Sequence, residues 1–190
     1  MPAVRTVDAA TEPITLAEAK AHLRVDVATD DALITAMIVA ARNVCGQELQ
    51  RALITQTWRL SEAAFWSPSI DLPWPVLQTV TSVKYYDTNN VQRTLVLDTD
   101  YRVDNVSQPG RIVAIGAWPA TFDRPYAVEV IYVAGYTNAA AVPQAIKQWL
   151  LMQVATMYDN RATHDTTRDA AATKLPWVDC LLDPFRVWPL

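Results

Sequence analysis

Between Leu16 and Asn160 the spacing of apolar residues changes twice, from helical to alternating and back to helical. Thr15 followed three residues later by Glu18 is a capping box, in which each side chain satisfies a free backbone N–H of a helix start. Leu16, Ala19 and Leu23 then share one face, which predicts a short helix over 16–24. Asp30 and Asp31 place carboxylates where they cap a helix and oppose its dipole, and a long helix is predicted over 31–49. Its apolar positions, Leu33, Ile34, Met37, Ile38, Ala41, Val44 and Cys45, cover more than one narrow stripe, so burial on two sides is expected.

From Ile54 the period becomes two. TQTWRL, VTSVKYYD, VQRTLVL, YRVD, RIVAI and AVEVIYVAGY are rich in Val, Tyr, Thr and Ile, and they predict strands of an antiparallel sheet. Asp87 to Asn90 tolerate left-handed backbone angles, so Val83–Tyr86 and Val91–Leu97 are expected to form a hairpin. The proline-bearing stretches DLPWPVL and AWPATFDRP are expected to be links. At Pro143 the helical period returns, with Ile146, Trp149, Leu150, Val154 and Met157 keeping it to about Asn160.

The expected class is therefore α+β: a small helical bundle of two N-terminal helices and a long C-terminal helix, with an inserted antiparallel β subdomain. The helical core is assigned to 12–52 and 142–161, and the insertion to 53–141. Residues 162–174, ATHDTTRDAAATK, contain no aromatic or large aliphatic side chain and are expected to be a flexible hinge. Residues 175–190, with Trp177, Phe185 and Trp188, are expected to be a docking segment that finds its place on this chain or on a neighbour.

Composition adds a reason to expect partners. Of the 190 residues 51% are hydrophobic and only 19% charged, which is sparse cover for a small monomer. Seven Trp stand beside three Phe, and Trp is a favoured interface anchor. The net charge is −4 and the basic residues form no run, so DNA is not expected to be gripped. The opening MPAVRTVDAATEPIT has no basic start followed by an apolar block, and no apolar stretch reaches membrane-spanning length; synthesis as a soluble cytoplasmic chain, with no membrane partner, is expected.

No motif for chemistry stands up. The four glycines, at 46, 110, 116 and 135, lie too far apart to cradle phosphate. His164 and Asp165 are adjacent, but the only other histidine is His22 on a separate helix, so no metal site is expected. Cys45 and Cys180 are too few for a disulfide framework, and Cys45 falls on an apolar helix face where a thiolate is disfavoured. Asp30 and Asp31 point in different directions on a helix, which suits capping better than acid–base work. No catalytic, cofactor-binding or metal-ligating residue is assigned, and no enzymatic activity or cofactor is expected.

The run ITLAEAKAHLRVD followed by DDALITAMIVAARNVCGQELQRALITQTWRL resembles the opening of phage head-tail connector proteins of the small head-completion class. The likeness continues through LPWPVLQTVTSVKYYD, DYRVD, PGRIV, AVEVIYVAGY and VPQAIKQWLLMQVATMYDNR, covering residues 12–161. The resemblance implies an adaptor subunit of a long-tailed phage or a phage-like gene transfer agent. It would sit at the neck of the virion, in a self-associated ring matching the twelve-fold portal. Its partners would be the portal and a stopper or other tail-side neck protein, with DNA passing through the lumen. Another neck component, a stopper or tail-completion protein, is the nearest alternative, and a small virion hydrolase is a more distant one. Residues 162–190 fit the family pattern less well. In related adaptors the C-terminal segment reaches toward the portal, so Trp177, Phe185, Arg186 and Trp188 are the expected portal contacts, and Thr15, Glu18 and Asp30 the helix caps.

Overall fold

The computed structural model describes residues 3–160, 178 and 180–187. It is an α+β protein whose chain forms two compact units, one from Met1–Ala10 and Gln50–Thr137, the other from Thr11–Leu49 and Asn138–Leu190. The chain thus enters the β unit first, leaves it for two helices, returns for the strands, and ends in the helical unit.

In the helical unit, α1 (Leu16–Leu23) opens on Thr15 and Glu18. The Thr15 hydroxyl accepts from the Glu18 N–H at 3.1 Å, and the Glu18 carboxylate accepts from the Thr15 N–H at 2.6 Å. The helix α2 (Asp31–Leu49) buries Ile34, Ile38, Ala41, Cys45 and Leu49, which recur at spacings of three and four and so form one stripe. Burial on two sides was expected, yet among the described residues Leu33 and Val44 remain 37% and 42% exposed. The helix α3 (Gln144–Asp159) follows Pro143 and buries Ile146, Trp149, Leu150 and Val154.

Polar contacts fix the three helices to one another. Lys20 meets Asp31 at 2.6 Å, Lys147 approaches Glu18 at 3.7 Å, and the Tyr158 hydroxyl donates to Asp30. Arg42 is buried and pairs with Glu12 at 2.8 Å, which matches the rule that a charge taken out of water needs a partner.

The β unit holds β1 (Ala3–Val7), β2 (Gln56–Glu62), β3 (Ser69–Leu72), β4 (Leu77–Tyr86), β5 (Gln92–Leu95), β6 (Tyr101–Asp104), β7 (Gly110–Ala114) and β8 (Val128–Ala134). These form two antiparallel sheets rather than one, in the orders β1-β2-β8-β4-β5 and β3-β7-β6. Strand β8 is central because both its neighbours pair along its whole length, Trp58 and Val80 opposite Tyr132, Leu60 and Val83 opposite Val130. Its alternate residues Val128, Val130, Tyr132 and Ala134 are all buried, as period two demands. They share a core with Leu72, Tyr101 and Ile112 of the smaller sheet.

Three details depart from the alternation pattern. β1 lies outside every predicted element but supplies the edge of the larger sheet. DLPWPVL, expected to be a link, contains the end of β3 and the start of β4. The expected hairpin forms, but β5 stops at Leu95, since the Val96 N–H turns to Asp100. At Gly135, φ is +112° and an added Cβ would lie 2.2 Å from the Ile54 carbonyl oxygen, so only glycine fits there.

Candidate assembly surfaces

Among the described residues, Leu182 and a few polar contacts tie the C-terminal segment to the helical unit. Leu182 is completely buried, and the short 3-10 turn Asp183–Phe185 follows it. The Val187 N–H donates to the Leu49 carbonyl at 3.2 Å, so the segment satisfies a free carbonyl at the end of α2. Arg186 lies 3.8 Å from Glu48 and 3.7 Å from Asp183. That puts a cation at the negative end of the α2 dipole, where the helix itself has no basic residue. Phe185 and Arg186 are both half-buried. The other two expected contacts, Trp177 and Trp188, lie outside the described residues, as does the expected hinge 162–174.

A second surface, missed in the sequence, is built by the two loops that follow β2 and β7. Phe65 stacks on Trp118 with ring centroids 4.6 Å apart, and Tyr85 meets Phe65 edge-on at 6.0 Å. The Trp118 indole N–H donates to the Ser67 carbonyl, and the Phe122 N–H to the Tyr86 carbonyl. Arg124 lies over the Tyr86 ring at 4.0 Å. These contacts hold the loops, yet Trp66 is 74% exposed and Tyr126 64%. Both side chains thus leave aromatic surface in water beside a braced loop. The only sequence signal was AAFWSP, an aromatic pair in a short link of small residues.

Two further apolar features lie in the helical unit. Leu33, Met37, Ala40 and Val44 fall on one line along α2 and are exposed or half-buried. A groove of about 480 Å³ has Ile14, Leu16, Ile38 and Ala139 in its walls, with Thr11, Thr15, Thr35, Glu12 and Asn138 around them.

The residues weighed for chemistry are occupied otherwise. Burial pushes the Cys45 thiol up to about 12, with the nearby Glu48 adding to it, so its nucleophilic form is disfavoured. Asp30 and Asp31 are engaged by Tyr158 and Lys20. His22 is exposed, and His164 lies outside the described residues. Among the described residues no three His, Cys, Asp or Glu side chains cluster as metal ligands. None of their helices is long and apolar enough to cross a membrane.

Residues 13–104 match the family of phage gp6-like head-tail connector proteins. No curated protein sequence matches the chain. Among solved structures, it is similar to a chain in the neck of an empty GTA particle with C6 symmetry, at TM-score 0.82 and 24% identity. A chain of the virion of a native gene transfer agent gives the same values. One from the neck of the native particle with C12 symmetry gives 0.79 and 23%. Each alignment covers 100% of this chain and 97% of the other.

Proposed function

We propose, on the premise that residues 13–104 are those of a phage gp6-like head-tail connector protein, that this chain is a structural adaptor subunit of a tailed phage or gene transfer agent. It works in the neck of the particle, as one of several identical copies in a ring between the portal and the tail-side proteins. The observation that carries this is a fold shared along the whole chain with a neck component, joined to the family match over its first half. A ring is a closed set of head-to-tail contacts, each needing two different patches on one subunit. The aromatic loops and the apolar features of the helical unit supply different patches. The twelve-fold copy number follows the portal, and C12 symmetry in a similar neck supports it. No step of this role requires bond chemistry, and the carboxylates and thiol that were weighed for catalysis have structural partners or surroundings.

Removing the gene from a producing cell should leave DNA-filled heads that carry no tails, and supplying the chain in trans should restore complete particles. Complete particles without it would overturn the proposal. Within this role, the C-terminal segment faces the portal through Trp177, Phe185, Arg186 and Trp188. The double change Phe185→Ala and Trp188→Ala should then block joining to portal-bearing heads while the purified chain keeps its unfolding midpoint. Normal joining by that variant would exclude the segment as the portal contact.

A further inference from the structure

The sheet end beside the aromatic loops carries an acidic side chain whose hydrogen bonding is incomplete. Glu62 and Tyr85 both lie opposite Val128 in the register of β2, β8 and β4, and residues opposite one another point to one face. Val128 is buried, so that face is the one turned to the core. Phe65, three residues beyond Glu62, meets Tyr85 edge-on at 6.0 Å and stacks on Trp118 at 4.6 Å. All three rings are partly buried and pack against the core of the β unit. The Glu62 carboxylate therefore stands beside an aromatic cluster at the border of that core.

Among the described residues, no donor reaches Glu62 Oε1, although this oxygen is shut off from water. A carboxylate oxygen buried without a donor is costly, and native structures hold few such groups. The donor that suits it has a definable chemistry. A negative charge calls for a cation, and aromatic rings beside it favour one that is flat and weakly hydrated. A guanidinium is both, since it stacks on a ring while two of its N–H groups fork onto one carboxylate. On the opposite face of β4 the next residue, Tyr86, already has a guanidinium over its ring, that of Arg124 at 4.0 Å. The chain has 20 acidic against 16 basic residues, and Arg42, Arg93, Arg111 and Arg186 already meet its own carboxylates. The complementary cation is thus one that another protein brings.

We propose that Glu62, Phe65, Tyr85 and Trp118 receive an arginine side chain presented by a different protein of the neck, with the exposed Trp66 extending the contact. This rests on the adaptor reading given above, and the test separates the two. The full chain would be titrated with N-acetyl-arginine amide and, separately, with its neutral isostere N-acetyl-citrulline amide. The indole N–H signal of Trp118, assigned with Trp118→Phe, would be followed by NMR. The arginine probe should shift that signal saturably, and the citrulline probe should bind at least roughly tenfold more weakly. Glu62→Gln should bring the arginine probe down to the citrulline level. The comparison of the two probes on the parent chain needs no variant, so it decides the matter even where Glu62→Gln folds poorly. Equal responses to both probes, or no response, would overturn the site. In sedimentation the purified Glu62→Gln chain should self-associate as the parent does, while in producing cells it should fail to join a neighbouring neck protein. Lost self-association would assign the arginine to a second copy and overturn its stated source. Complete particles with Glu62→Gln would overturn the partner contact and leave the adaptor reading standing, whereas complete particles without the chain would sink that reading itself.

Discussion

At the scale of the residue, the clearest determinants are short polar clasps. Thr15 and Glu18 satisfy each other's backbone N–H groups, and the Thr15 N–H together with the hydroxyl holds the Glu18 carboxyl below its usual range. Thr15→Ala should lower the unfolding free energy by about 1 kcal/mol, the usual cost of a lost N-cap, in chemical denaturation of the purified chain. Asp104 makes a denser clasp. It accepts from the Ser107 hydroxyl at 2.7 Å, from the N–H groups of Ser107 and Val106 at 3.1 Å, and from Arg111 at 3.0 Å. These bonds, Ser107 first, hold its carboxyl far below the ordinary aspartate range. Because the folded-state pKa is depressed, the clasp's stabilisation is complete above the unfolded-state value, about 4, and is lost as pH falls toward the folded-state one. Thermal unfolding followed from pH 6 down to pH 2 should show the parent losing stability below about pH 4 more steeply than Asp104→Asn, which lacks that proton uptake. Parallel curves would show that the clasp contributes nothing.

At the scale of the element, much was legible. The limits of α2 and α3 followed from the carboxylates at 30 and 31, from Pro143 and from the three-and-four spacing, because those signals act within one turn. The strands β2, β6, β7 and β8 followed from alternation. β1 and β3 escaped because five and four residues give too few alternations to stand out, and their pairing is with residues 50–57 and 38–44 positions away. The C-terminal segment is the sharpest change. A docking segment behind a hinge suggests a part that can be removed without harm, yet Leu182 is fully buried and Val187 caps α2. Leu182→Ala should therefore destabilise the chain by about 2–5 kcal/mol, as for other buried leucines, and a midpoint of denaturation equal to the parent's would contradict it. Tests of the portal contact should accordingly leave Leu182 in place.

At the scale of the whole molecule, the proposed role depends on surfaces that meet other molecules. A chain of net charge −4 without a basic run should let DNA pass without holding it. In filter binding at about 0.15 M salt, where screening is already strong, duplex DNA retention by the purified chain should be at background. Tight, salt-sensitive retention would place this protein among DNA-gripping ones instead. The exposed line Leu33, Met37, Ala40 and Val44 also gains meaning at this scale. Its apolar pattern suggested a second buried side for α2, and among the described residues Leu33, Ala40 and Val44 stay exposed. The periodicity records an apolar face, while burial depends on what lies opposite.

By itself the sequence determined the α+β class, the principal helices and strands, the shortage of surface charge, and the likeness to head-tail connectors. All of these depend on local spacing or on ordered runs of residues, which survive in one dimension. Only the tertiary structure decided that the strands divide into two sheets, that residues 3–7 complete the larger one, and that Leu182 plugs the helical unit. It also decided that, among the described residues, Trp66 is a tryptophan held out in water on a braced loop, while Trp58 and Trp149 are core. Exposure is set by what long-range folding brings against a side chain, and an indole carries no mark in the sequence of which fate awaits it.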